Sequence, residues 1–409
     1  MDKQPIPLNA TILKWARREA GLTLEDAAKR AGITSPRRRK GDERAVTPSE
    51  RLKAWEEGEE VPSLAQLEAV AAAYRRPLTT FFLASPPVKQ TNLADFRTIA
   101  SHAAAQDSPE FAAFKRRLEA RHAELREILI LEGQQKLVFV GSGQGITSPQ
   151  PLIKLLRHAL NFQFDEQKKL DDGDHVLRVL RERAQQLGVF VLIEGDLGSH
   201  HTAIAADEFR GIAIADSIAP LVVINANDTK AARLFTLIHE LTHIWLGESG
   251  ISNLNVFEKT KACQANKQTE KLCNLVAAEF LVPESALNDA MRSAKRDDAW
   301  DIVDDLAKDF KVSRDVIARR LLDCNYITSS NYEAIANRLH AIWRSIKIKQ
   351  KASGSGPSRN TLDRFRLGER MLNTVTSAAF DGKISLQEAA RILRVPVSRF
   401  DKVLYATHN

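Results

Sequence analysis

The 409-residue sequence has little cysteine, few aromatic residues and no long apolar run. Its three cysteines, Cys263, Cys273 and Cys324, follow no disulfide or zinc-ribbon spacing, which excludes a disulfide-rich secreted domain. Reduced thiols fit a cytoplasmic protein, and that is the predicted location. No run of about 18 apolar residues occurs, so no membrane span is expected. The opening MDKQPIPLNATILKW holds no apolar stretch of signal-peptide length.

Positively charged residues only slightly outnumber negatively charged ones. The formal net charge is +7, a slight preference for anionic partners that a solvated basic surface explains equally well. Apolar residues make up 44% of the chain, close to the globular average, so most of it is expected to bury cores. The length favours two to four domains.

Helical periodicity dominates the chain, and strands are confined to its middle. Short helices are predicted through residues 10–84, with Thr23 and Ser63 as N-caps and Gly58 as a stop. A long polar helix is predicted from about 108 to 131. The predicted fold class is therefore α+β, predominantly helical. Four apolar runs predict short strands, the last three in one sheet: residues 136–140, 189–193, 211–215 and 221–225.

One short motif carries metal chemistry. Residues 236–247 read TLIHELTHIWLG, and on a helix His239 and His243 share one face, one turn apart. Two imidazoles so placed can bind one Zn²⁺, and Glu240 beside them can take a proton from the attacking water and pass it to the leaving amine. The competing interpretation is a helix with two surface histidines.

A catalytic zinc site also needs a third protein ligand. The helical segment 269–283, TEKLCNLVAAEFLVP, offers Glu270 near its start, with Asn274 on the same face to orient a ligand histidine. The spacing alone equally allows Glu270 to be a helix N-terminal carboxylate favoured by the helix dipole. Glu279 is a rival ligand about two and a half turns along the same helix.

These stretches resemble the ImmA/IrrE family of metallopeptidases, in the version with an N-terminal helix-turn-helix domain. The resemblance implies a zincin-like core with His239, His243 and Glu270 as zinc ligands and Glu240 as catalytic base. It also implies a protein substrate that is itself regulatory, such as a repressor or antitoxin, cut on a stress or mobile-element signal. Another divalent metal remains open. The matching stretches are DEFRGIAIAD (207–216), APLVVINANDTKAARLFTLIHELTHIWLGESGIS (219–252) and EKLCNLVAAEFLVP (270–283).

Residues 13–78 resemble the helix-turn-helix domains of phage-repressor-like regulators, on LKWARREAGLTLEDAAKRAGI (13–33) and RLKAWEEGEEVPSLAQLEAVAAAYRRPL (51–78). Such a domain places its third helix, here about 48–57, in the major groove of DNA. This sequence departs from the pattern through a long basic insert, SPRRRKGDERAVTP (35–48), that can grip phosphate or form a solvated loop.

Binding of DNA by this domain is one of two interpretations that the sequence leaves open. Residues 1–84 carry a net charge of only +3, and the third helix is acidic, whereas DNA-binding domains are usually basic. The other interpretation is a module that docks a protein partner or a second copy of the chain, which would make a homodimer. The candidate DNA-contacting residues are Arg37, Arg38, Arg39, Lys40, Arg44, Arg51 and Lys53.

Three further residues are candidates for oxyanion or substrate contacts. His200 and His201 precede the second predicted strand of the sheet and can serve as donors, although ordinary loop histidines explain them better. Arg210 either supports the sheet edge or contacts a substrate carbonyl, and the structural role is favoured. The glycine-rich GSGQG (141–145) lacks the Lys-Ser/Thr of a phosphate loop and is predicted to be a turn.

The predicted function is zinc-dependent cleavage of a regulatory protein, coupled to a DNA- or protein-binding domain. The alternative is a DNA-binding regulator whose metal site is structural or vestigial, although a purely structural zinc has no use for Glu240. The predicted organisation is a helix-turn-helix domain (1–87), a linker and long helix (88–135), a zinc peptidase core (136–290), a helical segment packing on the core (291–350), a flexible linker (351–360) and a C-terminal helical tail (361–409).

Overall fold

The computed structural model describes residues 8–35, 46–87, 94–95, 107–252, 264–293, 298–352 and 359–405. The described residues divide into two compact units. The first draws on residues 1–91, 104–120 and 196–203, and the second on the rest of the chain. No helix in these ranges is long and apolar enough to cross a membrane.

The N-terminal part of the first unit is helical, and its helix ends follow the predicted caps. The Thr23 and Ser63 side chains each accept a backbone N–H in the first turn of their helices, and Gly58 ends another helix in the left-handed conformation. Leu13, Trp55 and other apolar side chains of these helices form one core. The elements are α1 (Ala10–Glu19), α2 (Leu24–Arg30), α3 (Pro48–Glu57), α4 (Leu64–Ala73) and a 3₁₀ helix (Leu78–Phe82).

One acidic side chain of α3, that of Glu56, points into this core. Arg17 of α1 donates to both carboxylate oxygens of Glu56, at 2.7 and 2.9 Å, and Glu56 is almost fully buried. The sequence had counted Glu56 among the acidic residues of a DNA-reading helix. Its carboxylate is instead neutralised inside the domain, so it does not repel a phosphate backbone from the surface.

The second unit contains a five-stranded mixed sheet of order β1-β5-β3-β4-β2. Strands β2 and β4 are parallel, β3 runs antiparallel to β4 and β5, and β1 pairs with β5 in parallel. Strands β2 to β5 are buried throughout, and β2 to β4 therefore appear in the sequence as largely apolar runs rather than alternating patterns. The strands are β1 (Ala94–Asp95), β2 (Phe190–Glu194), β3 (Gly211–Ile214), β4 (Leu221–Asn225) and β5 (Gly250–Ser252).

The sheet shares one large apolar core with many of the helices, among them α6, α8 to α10 and α12 to α14. Helix α5 follows the predicted long helix. The helices are α5 (Pro109–Leu131), α6 (Pro149–Ala159), α7 (Phe164–Lys169), α8 (Gly173–Leu187), α9 (Lys230–Leu246), α10 (Gln264–Leu281), α11 (Glu284–Ser293), α12 (Ala299–Phe310), α13 (Arg314–Asp323), α14 (Ser329–Ala352), α15 (Arg359–Leu367), α16 (Glu369–Phe380), α17 (Leu386–Leu393) and α18 (Val397–Tyr405).

The strand predicted at residues 136–140 is wrong. These residues lead into a series of turns that continues through the GSGQG segment. The backbone N–H groups of Gly141 and Gly143 donate to the carbonyls of Ile244 and Trp245, at 3.0 and 2.8 Å. The segment therefore satisfies carbonyl groups at the C-terminal end of α9, which no later residue of that helix can reach.

The C-terminal helices cover the outer edge of β2, the last strand of the sheet. The buried guanidinium of Arg181 donates to the carbonyl of Val191 in β2 and to the carbonyls of Phe365 and Arg366. Gly368 has a φ of +76°, and a side chain there would overlap the side chains of Arg181 and Gln185. The edge strand is thus shielded from pairing with another chain.

A buried ion triad fastens the same region. Glu194, at the end of β2, receives two hydrogen bonds from Arg121 of α5, at 3.0 and 2.8 Å, and one from Arg394 at the end of α17, at 2.9 Å. Burial alone would raise the pKa of Glu194, but the two guanidinium groups outweigh burial and lower its pKa to about 2.

We predict that Glu194→Gln destabilises the second unit by about 3 kcal/mol at neutral pH, because the buried Arg121 and the partly exposed Arg394 lose their counter-charge. The folded-state pKa lies below the ordinary value of 4.5. The carboxylate therefore stabilises the fold above that value, and its contribution disappears as the pH falls from about 4.5 to 2. Hydrogen exchange of the β2 amides in urea, at pH 7 and pH 3, measures both effects.

The matched control is Glu124→Gln, which removes a partner of the exposed Arg391. We expect it to change stability by less than about 1 kcal/mol. Equal effects of the two substitutions at pH 7 would contradict a stabilising role for the buried triad.

Candidate metal centre

Helix α9 carries the HELTH motif through the middle of the second unit. The Thr229 side chain accepts from Ala232 N at its start, and Gly247 ends it with a φ of +75°. Residues 236–246 are all buried, including His239, Glu240 and His243. The histidines therefore do not lie on the surface, and the surface-histidine interpretation is wrong.

Helix α10 packs along α9 and brings Glu270 to the two histidines. Its buried apolar side chains, among them Val276 and Phe280, belong to the same core as those of α9. The sequence left open whether Glu270 was only a helix N-terminal carboxylate. In the structure α10 begins at Gln264, and Glu270 lies beyond its first turn, almost fully buried beside His239 and His243.

The donor atoms of this triad are spaced as ligands of one small cation. His239 Nε2 and His243 Nε2 are 3.2 Å apart. Glu270 Oε2 is 3.4 Å from the first nitrogen, and Glu270 Oε1 is 3.1 Å from the second. Ligands about 2.0–2.1 Å from a tetrahedral Zn²⁺ are separated by about 3.3 Å. The triad is thus a potential metal site whose spacing fits zinc.

Asn274 lies where the sequence predicted it. Its Oδ1 is 3.1 Å from Nδ1 of His239, the ring nitrogen that does not face the triad. If Nδ1 carries the proton and donates it to the amide oxygen, Nε2 is left with a lone pair directed at the site. Asn274 would therefore fix both the tautomer and the orientation of His239.

The charges of the triad stabilise one another. Burial would raise the pKa of Glu270, but His239 and His243 outweigh it and lower the pKa to about 2. Burial would lower the pKa of His239, but Glu270 outweighs it and raises the pKa. A cation that binds at the triad therefore competes with a proton for His239.

Two residues that the sequence analysis missed hold Glu240. The hydroxyl of Ser252 in β5 donates to Oε1 of Glu240, and a side chain at Gly211 of β3 would overlap the same carboxylate. Burial raises the pKa of Glu240, despite the opposing charges of the two histidines. A glycine within an apolar strand indicates a close approach, which could have drawn attention to Gly211. No local pattern identifies Ser252.

The rival ligand Glu279 lies in a different environment. It forms an ion pair with the buried Arg320 of α13, and Gln150 donates to it at 3.3 Å. It does not belong to the metal triad. Glu279 connects α10 to α13, and its removal would leave a buried guanidinium without its carboxylate.

The other predicted contact residues lie in two different parts of the fold. Arg210 forms an ion pair with Asp228 at 3.1 Å, and its backbone N–H donates to the carbonyl of Ser252 at 2.7 Å, which fits the favoured structural role. His200 and His201 lie in a 3₁₀ helix (His200–Thr202) of the first unit, and their proposed role remains a prediction.

Most of the predicted DNA-contacting residues, Arg37 to Lys40 and Arg44, lie outside the described residues. Arg51 donates to the carbonyl of Thr34 at 3.0 Å and stacks on the Trp55 ring at 5.4 Å. The more exposed Lys53 lies 3.7 Å from Glu57. Both side chains have a partner within the first unit. Of these two cations of α3, only Lys53 is largely exposed.

Comparison with known proteins gives one result for the centre of the chain. Residues 184–322 match the peptidase M78 family model, described as the IrrE N-terminal-like domain. The matched range includes the strands β2 to β5 and the helices α9 and α10, and it supports a relationship to the ImmA/IrrE family and a metallopeptidase-type function. No curated protein matches the chain.

We predict that Glu270→Ala weakens zinc binding by more than the roughly 10–100-fold that follows loss of an outer hydrogen-bond partner. Because the pKa of His239 is raised, protons compete with zinc for this residue, and the affinity for zinc should also fall as the pH is lowered. Elemental analysis and competition with a chelator, at several pH values, measure both effects.

Glu279→Gln is the matched control on the same helix, and we expect it to retain zinc while it destabilises the fold. If Glu270→Ala kept full zinc affinity and Glu279→Gln lost it, the assignment of the third ligand would be reversed.

Proposed function

We propose that this chain is a metal-dependent endopeptidase, with a divalent cation held by His239, His243 and Glu270. The observation that carries the proposal is the spacing of the three donor atoms, 3.1–3.4 Å, next to a buried glutamate on the same helix. Two imidazoles and one carboxylate are the ligand set of catalytic zinc in several peptidases, so Zn²⁺ is the proposed metal. A purely structural site would more often be closed by a fourth protein ligand.

Glu240 is the proposed general base. Oε1 of its carboxylate accepts from Ser252, whereas Oε2 is buried and accepts no hydrogen bond from the residues that the structure describes. A bound cation supplies Lewis acidity toward a water molecule and the scissile carbonyl. Oε2 of Glu240 takes the proton from that water and delivers it to the leaving amine. The raised pKa of Glu240 suits this role, since a base with a pKa nearer neutrality also donates the proton readily.

Ser252 and Gly211 position this base. The serine hydroxyl holds one carboxylate oxygen, and the bare backbone of Gly211 leaves room for the group. Rotation of the carboxylate is therefore restricted before substrate arrives, which reduces the ordering needed in the transition state.

The proposed substrate is a regulatory protein of the repressor or antitoxin type. The resemblance to the ImmA/IrrE family supports this class, and a helical N-terminal domain of repressor-like pattern is a plausible means to reach such a target. We propose that the N-terminal domain directs the peptidase to DNA or to a protein that resembles itself.

We predict that Glu240→Gln retains zinc but abolishes cleavage. The amide cannot accept the proton of the attacking water, although it fills the same volume. The measurement is the appearance of new protein N-termini in an extract of the source organism, after incubation with metal-loaded protein.

Glu248→Gln is the control, because Glu248 follows α9 closely but belongs to neither the triad nor the base. We expect the control to produce the same new N-termini as the wild type. Cleavage by Glu240→Gln at the wild-type rate would refute the proposed base, and no cleavage by the wild type would count against the peptidase proposal.

The role of the N-terminal domain has its own test. If it directs the protein to DNA, Lys53→Glu should weaken binding to a promoter fragment and reduce the dependence of affinity on salt by about one ion. Glu57→Lys on the same helix is the reciprocal control and should strengthen binding. Unchanged affinity in both variants would favour docking of a protein through this domain.

A further inference from the structure

A cavity of about 920 Å³ lies beside the N-terminal half of α9, within the second unit. Its walls come from α9, from the connection between α12 and α13, and from α14. The residues used below are Ala232, Phe235 and Thr236 on α9, Val312 before α13 and Leu339 on α14. The metal ligands themselves do not line it.

The cavity continues the metal-facing side of α9. Phe235 precedes His239 by four residues, Thr236 by three and Ala232 by seven, so all three lie on the helical face that carries the two ligand histidines. The rings of Phe235 and His239 are 6.4 Å apart between centroids. The cavity therefore opens on the same side of the helix as the triad, one turn toward its N-terminus.

The offset between the triad and the cavity, about one turn of α9, matches the repeat of an extended polypeptide. Four residues of helix rise about 6 Å, and one or two residues of extended chain span about 3.3–6.6 Å. When a scissile carbonyl sits at the triad, the side chain of a residue next to the cleaved bond can enter the cavity.

The cavity has apolar and charged parts. Ala232, Phe235, Val312 and Leu339 contribute apolar surface, and the Phe235 ring lies beside His239 of the triad. Arg210, which is paired with Asp228, and Asp315 contribute charged groups. A group that enters beside His239 therefore meets the apolar ring of Phe235.

We infer that this cavity selects the substrate by receiving a large apolar side chain next to the scissile bond. The inference rests on the proposed peptidase function and adds the class of side chain that the site accepts. A larger group at Ala232, about one turn before Phe235 on the same face of α9, would fill part of the cavity.

Two peptide hydroxamates test this inference without turnover. They share one backbone and a metal-chelating arm, and carry either an isobutyl group or a hydrogen on the carbon beside that arm. Calorimetry with the zinc-loaded protein measures both affinities. We expect the isobutyl compound to bind at least about tenfold more tightly, since one or two buried methylene groups already give that ratio.

Ala232→Leu locates the selectivity, and Ala123→Leu is its control on the exposed face of α5. We expect the ratio to fall below about threefold in the first variant and to stay unchanged in the second. Equal binding of the two compounds by the wild type, which needs no variant, would overturn the inference. So would a ratio that Ala232→Leu leaves intact.

Failure of the peptidase proposal itself has a different appearance. In that case each hydroxamate would bind the zinc-loaded protein no more tightly than it binds the Glu270→Ala variant. Tight and equal binding of both compounds would support the metal site while it overturned the pocket.

Discussion

The contact between α9 and α10 is the constraint on which the rest of the site depends. It brings a carboxylate between two imidazoles at 3.1–3.4 Å, in a region where His239, Glu240, His243 and Glu270 are all nearly inaccessible to water. Burial of an isolated charge is costly, and the two imidazoles that Glu270 faces offset that cost for its carboxylate. The apolar packing of the two helices supplies the stability that keeps these polar groups together.

The same rule governs the other buried charges of the second unit. Glu194 lies between Arg121 and Arg394, and Arg320 faces Glu279. Each of these carboxylates faces a guanidinium of the protein, and the pairs join separate elements of the fold. The triad, by contrast, brings three potential metal ligands together beside Glu240, whose Oε2 has no hydrogen-bond donor among the described residues.

The sequence predicted the helices and the central strands well, because helix caps and apolar runs are local signals. Thr23, Ser63 and Gly58 act as predicted, and the segment around the HELTH motif is helical. The strand predicted for residues 136–140 is wrong, because their apolar composition suits a strand although their backbone leads into turns whose Gly141 and Gly143 contact the end of α9. Ser252 and Arg320 were invisible for another reason: their roles depend on residues distant in the sequence, and no spacing along the chain records such contacts.

Glu240 also links the two structural layers of the site. Gly211 and Ser252, the two residues that hold its carboxylate, lie directly opposite each other in the antiparallel pairing of β3 with β5. A slip of one residue between these strands would turn both positions to the other face of the sheet. Insertions in the short connections on either side of α9 would then silence the base without touching a single ligand. The alignment of two strands is in this sense a hidden component of the proposed catalytic machinery.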